Sequence, residues 1–266
     1  VNDFNDLYPK PLRLLFYDTE NTQIEIGGRV WSLRQEGYLP HHFVKQPKHL
    51  ICWSAKFSDE TEVRSQVLTS KEAKAHDDGR IADGLAKLIG KADYVVAHNG
   101  DSFDIKNLNT RLLANKLTPL GNIQSIDTLK ISRQSFNLES NKLDYLAQFL
   151  QFDGKLPTSM SLWDRCWDGE SVALAEMRAY NEYDSVLLEH VFHAISPYSK
   201  TLPRLVDAAE WRQELCPYCG SQERTKSKVP HRTKVNTYPK YRCSGCKREY
   251  RGWQAVGSKK PASVGL

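Results

Sequence analysis

The chain has 266 residues, 40% of them hydrophobic and 26% charged, which is enough for one sizeable α/β core and a small appendage. It contains no apolar run of the roughly 18 residues that a membrane span needs, and no basic-then-apolar signal segment opens it. The formal net charge of +5 is uneven: residues 211–266 carry 13 Lys and Arg against 3 Glu, a net of +10, and the rest carry 24 against 29, a net of −5, so an acidic body with a basic tail favours a polyanionic partner.

Pro9 and Pro11 make residues 1–11 an extended lead-in. Residues 13–17 form a short apolar run, expected to be a buried strand, that ends at Asp18-Thr19-Glu20. Ile24, Ile26, Val30 and Trp31, and then residues 49–57, predict antiparallel strands that extend the sheet. Residues 61–70 read as a further strand or a linking loop. Ile81, Leu85, Leu88 and Ile89 predict a helix over 77–90. Residues 94–97 predict a second central strand, followed by His98-Asn99-Gly100. Ile105, Leu108, Leu112 and Leu113 predict a helix over 104–116, and residues 125–127 the end of a short strand. Further helices are expected over 142–150 and 169–194, and a linker rich in Pro and Ser over 195–203. This order implies an α/β domain over residues 1–203, with a mixed sheet flanked by helices, and a separate module over 204–266.

Acidic groups gather at the ends of these elements. Asp18 and Glu20 stand at i and i+2, so they share a face if the strand persists. Two converging carboxylates repel unless a cation intervenes, and hard oxygen donors suit magnesium or manganese. Asp104 follows the second central strand, near the start of a helix, where a metal ligand or an N-capping group would serve equally. N-capping also accounts for Asp101. Phe103 is expected to anchor that helix start in the core, and Asn99 is a substrate contact or a turn residue. Tyr180 and Asp184 stand at i and i+4 of the long helix, on one face. A tyrosine there can orient a water by hydrogen bond.

Three segments together, residues 16–20, 98–104 and 180–184, resemble the exonuclease motifs of the DEDD superfamily of 3′–5′ exonucleases, which have a ribonuclease-H-like fold. Leu108 and Arg111 continue the second motif. The tyrosine four residues before Asp184 is similar to that of the tyrosine-containing branch, which includes the proofreading domains of family B DNA polymerases. Residues 142–150 resemble the helix preceding the third motif, and the likeness covers about residues 12–194. It implies that Asp18, Glu20, Asp104 and Asp184 hold two Mg2+ or Mn2+ ions, that Tyr180 positions the attacking water, and that nucleoside 5′-monophosphates are released. Thr19, Asn99, Phe103 and Arg111 are the expected substrate contacts. Asp127 stays outside the metal site, and His98 and His190 are read as packing or surface groups. The expected substrate is single-stranded DNA or another 3′ end. A structure-selective endonuclease or an RNA-trimming enzyme on the same fold, and a non-catalytic nucleic-acid-binding protein, are the competing readings.

The tail has its own signature. Cys216-Pro-Tyr-Cys219 and Cys243-Ser-Gly-Cys246, separated by 23 residues, form two knuckles that predict one structural Zn2+ ion in a zinc ribbon. Gly220 and Gly245 suit the knuckle turns, and strands are expected over 231–242 and 249–256. Cys52 and Cys166 stand alone, which is metal arithmetic rather than a disulfide scaffold. A reducing, nucleic-acid-containing compartment such as the cytoplasm follows. Lys226, Lys228, Arg232, Lys234, Lys240, Arg242, Lys247, Arg248 and Arg251 are interleaved with Tyr238, Tyr241, Tyr250 and Trp253. That mixture suits phosphate and base contacts. Docking of a replication or repair protein through the ribbon is the alternative.

Overall fold

The computed structural model describes residues 12–34, 39–152, 158–203 and 215–257. The expected lead-in over 1–11 falls outside these residues. The chain forms two compact units, the larger spanning Arg13–Ile195 and the smaller holding the described residues from Ser196 onward.

The larger unit is built on a five-stranded mixed sheet. Its strands are β1 (Leu14–Asn21), β4 (Leu50–Phe57), β5 (Val63–Val67), β6 (Tyr94–Ala97) and β7 (Ser125–Asp127), in the order β5-β4-β1-β6-β7. β4 runs antiparallel to β1 and to β5, whereas β1, β6 and β7 are mutually parallel. Parallel neighbours end at the same edge of a sheet. That topology brings Asp18 and Glu20, the turn after Ala97, and Asp127 to one edge. The expected strands over 24–31 do not join the sheet. They form a separate hairpin of β2 (Ile24–Glu25) and β3 (Arg29–Val30) around a Gly27-Gly28 turn.

Seven helices flank the sheet among the described residues: α1 (Ser70–Ala75), α2 (Gly79–Ile89), α3 (Asp104–Ala114), α4 (Thr128–Ser135), α5 (Leu143–Phe149), α6 (Met160–Trp167) and α7 (Ser171–Ile195). The open question over 61–70 resolves as β5 followed by a Thr69/Glu72 capping box that starts α1.

The alternation of β1 decides which helix meets which residue. Leu15, Tyr17 and Thr19 share the face of Trp53, whose indole N–H donates to the Ile81 carbonyl of α2 at 2.8 Å. Phe16, Asp18 and Glu20 share the other face with Ser54 and Lys56, and there α7 packs. Phe16 meets Phe192 edge-on with ring centroids 5.4 Å apart. Lys56 forms a largely buried ion pair with Glu189 at 2.5 Å. Between them Ser54 and Ser185 bond to each other at 2.6 Å, and the Ser54 hydroxyl also lies 2.6 Å from the Asn181 carbonyl. Two small polar side chains therefore let α7 approach the strand that faces Asp18.

The smaller unit contains a 3₁₀ turn at residues 196–198 and five short strands. β12 (Glu249–Arg251), β11 (Lys240–Cys243) and β8 (Arg224–Lys226) form an antiparallel sheet, and β9 (His231–Arg232) pairs with β10 (Thr237–Tyr238). The expected strand over 231–242 is therefore two strands on either side of Pro239 plus one from the facing pair, and the one over 249–256 stops at Arg251. The strand at 224–226 was not anticipated. Arg248 is buried, donates to the carbonyls of Ser196 and Ser199 at 2.8 and 2.6 Å, and lies 3.7 Å from the centre of the Tyr218 ring. No helix among the described residues is long and apolar enough to cross a membrane.

Candidate active site and metal centres

Asp18 and Glu20 do share a face of β1, and α7 brings Asp184 to them. Carboxylate oxygens of the three lie within 4.8 Å of one another. Asp184 is 1% exposed, so its charge has little access to water. Three carboxylates this close cannot all stay ionised in a poorly solvated place without a cation, and their hard oxygens fit magnesium or manganese. Tyr180 is buried one turn before Asp184, edge-on to Trp163.

Asn181 is a site residue that the sequence did not reveal. It is fully buried, and its Nδ2 donates to Asp18 Oδ2 at 2.7 Å. Its spacing of i, i+3 from Asp184 was the available signal, because that spacing puts the two on one helix face.

Asp104 lies outside that group of three. It occupies the first turn of α3, is 4% exposed, and accepts from the Thr19 hydroxyl at 2.5 Å. Burial pushes its carboxyl up to about 6, against the hydrogen bonds from Thr19. Thr19 thus spends its hydroxyl on holding Asp104 from the opposite face of the strand. Tyr17, next on that face, has a buried hydroxyl with no partner among the described residues. Burial, and then the charges of Asp104, Asp101, Asp18 and Asp127, raise its pKa well above the usual phenol value.

The turn after β6 is held from β7. Asn99 adopts a left-handed backbone, φ 70°, and its N–H donates to Asp127 Oδ1 at 2.9 Å. The same oxygen caps α4 through the Leu129 N–H at 3.0 Å. Asp127 is therefore a support for the Asn99 turn. Among the described residues Asp101 caps no helix; it pairs with Lys130 at 2.5 Å and accepts from the Ser125 hydroxyl. His98 bridges the Thr128 hydroxyl and the Asn141 carbonyl, each at 2.9 Å, which gives it a packing role. His190 lies against Phe152. Asp18, His98 and Asn99 open onto a cleft of about 630 Å3 also lined by Arg133, Lys142, Glu139 and Asp144.

Two expected contacts are placed differently. Phe103 does not anchor α3 in the core; it is 39% exposed, beside the Lys48 ammonium at 5.8 Å from its ring. Arg111 turns inward. Its guanidinium donates to both oxygens of the fully buried Asp78, at 2.6 and 3.0 Å, and to the Lys48 carbonyl at 2.9 Å. Three of its five N–H donors serve the scaffold, and at 7% exposure it presents almost nothing to a ligand.

The second centre lies in the smaller unit. One sulfur from each of Cys216, Cys219, Cys243 and Cys246 falls within 4.8 Å of the others, and none is in a disulfide. Sulfurs cross between the knuckles at 3.6 Å, Cys216 to Cys246 and Cys219 to Cys243. Their mutual hydrogen bonds pull the Cys219 thiol far down and push Cys216 up, because so compact a set cannot hold four thiolates unaided. A four-sulfur set fits a closed tetrahedral zinc site. Gly220 is left-handed at φ 73°, as a knuckle turn requires, but in the second knuckle Lys247 takes that conformation at φ 61°. Gly245 instead packs under Ser221 and Cys219, where an added Cβ would sit 3.4 and 3.6 Å from their side chains.

Comparison with known proteins places these sites in context. The family profile described as the RNase_H superfamily matches residues 41–196, more than half of the chain. Among solved structures, the family B DNA polymerase from the hyperthermophilic archaeon Pyrobaculum calidifontis is similar, with a TM-score of 0.50 and 17% identity. The match covers 71% of this chain and 25% of the polymerase, so it concerns the fold of a part of that protein. No curated protein matches the chain.

Proposed function

The chain belongs to the RNase_H superfamily, and on that premise we propose that its larger unit is a metal-dependent nuclease that shortens nucleic acid from the 3′ end and releases nucleoside 5′-monophosphates. The observation that carries this reading is the carboxylate set of Asp18, Glu20 and Asp184 within 4.8 Å, contributed by a central strand and a helix that packs across it. Asp104, one hydrogen bond away through Thr19, is the proposed fourth ligand. Two Mg2+ or Mn2+ ions bound by these four would supply an activated water and stabilise the departing 3′ oxygen.

The chain's own groups have separate tasks. Asn181 fixes one oxygen of Asp18, so that its carboxylate is oriented before any ion arrives. Tyr180, one turn before Asp184, is proposed to orient the attacking water through its hydroxyl. Thr19 holds Asp104. Phe103 offers an exposed ring to the terminal base, and Asn99, in the turn held by Asp127, offers its amide. The adjoining cleft mixes charges, and Arg133 and Lys142, beside Glu139 and Asp144, are its proposed phosphate contacts. Single-stranded DNA is the proposed substrate. The four-cysteine ribbon, holding one structural Zn2+, is proposed to bind the same strand.

The deciding experiment digests matched DNA and RNA strands with manganese, labelled at the 5′ end, with free or blocked 3′ ends. Progressive shortening of free-ended DNA, absent in Asp18→Ala, is expected. Internal cuts on the blocked strand would instead assign an endonuclease, and faster loss of the RNA strand would assign RNA trimming. Undiminished digestion by Asp18→Ala would overturn the site.

A further inference from the structure

We infer that Trp253, with Lys226 beside it, forms a stacking site on the ribbon for one unpaired base of a single-stranded nucleic acid. This inference deepens the nucleic-acid reading of the ribbon. Tyr238, Tyr241, Tyr250 and Trp253 lie among the tail's basic residues, and the structure sorts them. Tyr250 is 7% exposed and packs with Cys216 and Cys243 in the small core, with Tyr241 against it. The Arg224 guanidinium covers the Tyr241 ring at 4.2 Å, and Arg251 covers Tyr238 at 4.2 Å. Trp253 alone of the four is exposed, at 40%.

Its position is built rather than loose. The Gly252 N–H donates to the Pro239 carbonyl and the Val256 N–H to the Thr237 carbonyl, both at 2.7 Å. These bonds fold residues 252–256 back along the ribbon on both sides of Trp253. Gly252 must lack a side chain for this, because a Cβ there would lie 2.7 Å from Pro239 Cγ. Beside Trp253 is a recess of about 220 Å3, lined also by Lys226, Tyr241, Tyr250 and Gln254. That volume is several times the ~30 Å3 share of a water molecule.

Some of the basic groups are spent within the ribbon. Arg248 is buried, Lys240 pairs with Glu249 at 2.5 Å, and Lys247 donates to the Ser244 carbonyl. Lys226, like Lys228, Arg232, Lys234 and Arg242, is exposed and has no ion pair or hydrogen bond from its side chain among the described residues, and of these five it is the one that lines the recess. An aromatic plane beside a free ammonium is the pairing that holds a base and its phosphate, and the base must be unpaired to present its face.

The test uses the full chain carrying Asp18→Ala, so that strands survive, and measures anisotropy of a labelled DNA strand and of an abasic strand of equal length across a salt series. The intact strand should bind more tightly. Trp253→Ala should weaken it by roughly 5- to 150-fold, to the affinity of the abasic strand, and Trp253→Phe should retain most of the preference. Lys226→Ala should weaken both strands alike and shrink the salt slope by about 0.7. Zinc content and circular dichroism confirm that each variant is folded. Equal affinity for both strands in the parent, or an unchanged preference in Trp253→Ala, would overturn the inference and leave the ribbon free to dock a protein. If the parent with Asp18 restored digests nothing but the Trp253-dependent preference holds, the nuclease reading fails and the stacking site stands.

Discussion

Replacing Arg111 by Met separates a scaffold role from a substrate role. Asp78 is fully buried and accepts two bonds from Arg111, at 2.6 and 3.0 Å. It also accepts from the Leu50 N–H at 2.8 Å and from Asn115 Nδ2 at 2.7 Å. Arg111→Met leaves that carboxylate without its cation and with two neutral donors. Removing one partner of a buried ion pair costs about 3–5 kcal/mol. The two remaining donors keep part of the solvation, so the lower end, about 3 kcal/mol, is expected. In a domain of this size that is roughly a 6–12 °C drop in Tm. Asp78→Asn combined with Arg111→Met removes the orphaned charge. It should be less damaged than the sum of the single changes, by on the order of 0.5–3 kcal/mol. Urea unfolding followed by tryptophan fluorescence measures all three variants. Strand affinity, measured in an Asp18→Ala background below the melting range, should not change. An unshifted urea midpoint together with tenfold weaker strand binding would refute the reasoning and return Arg111 to the substrate.

Asn181→Ala removes the donor that orients Asp18 Oδ2; manganese titration of activity should show a roughly 10- to 100-fold weaker metal requirement curve, and an unchanged curve would deny the positioning role. Stripping the four-cysteine site with a strong chelator should release one zinc ion per chain and collapse the ribbon's signals, while the helical signal of the larger unit persists. Acid sensitivity should run through Glu189. Burial pushes its carboxyl up, but the nearby His193, 3.9 Å away, and the bonded Lys56 ammonium outweigh that and hold it below the usual range. A depressed folded pKa contributes stability that is complete above the unfolded value of about 4.3 and is lost as pH falls through the folded one. Lys56→Met should therefore lower the urea midpoint at pH 7, and its curve should converge on the parent's as pH falls toward 3. Parallel curves would assign the acid loss elsewhere.

Much of the site was legible as spacing. The period of two put Asp18 and Glu20 on one strand face, and the helical period put Tyr180 one turn from Asp184. The paired cysteines announced a four-sulfur centre, and the central strands followed from short apolar runs. These are local consequences of backbone geometry, so the amino-acid sequence by itself determined them. Other features depend on which segments meet across the chain. Arg111 carries the same charge whether it faces a ligand or Asp78, and only the packing of α3 against α2 buries it with a carboxylate 33 residues earlier. Phe103 is apolar enough for a core, yet the turn before α3 leaves it at the surface. Asn181 acquires its role because Ser54 and Ser185 let α7 come close to the strand bearing Asp18. Trp253 is set apart from three tyrosines only because arginines and the cysteine core occupy their faces. A side chain's chemistry is written in the sequence; its partner, and therefore what that chemistry is spent on, is decided by contacts between residues far apart along the chain.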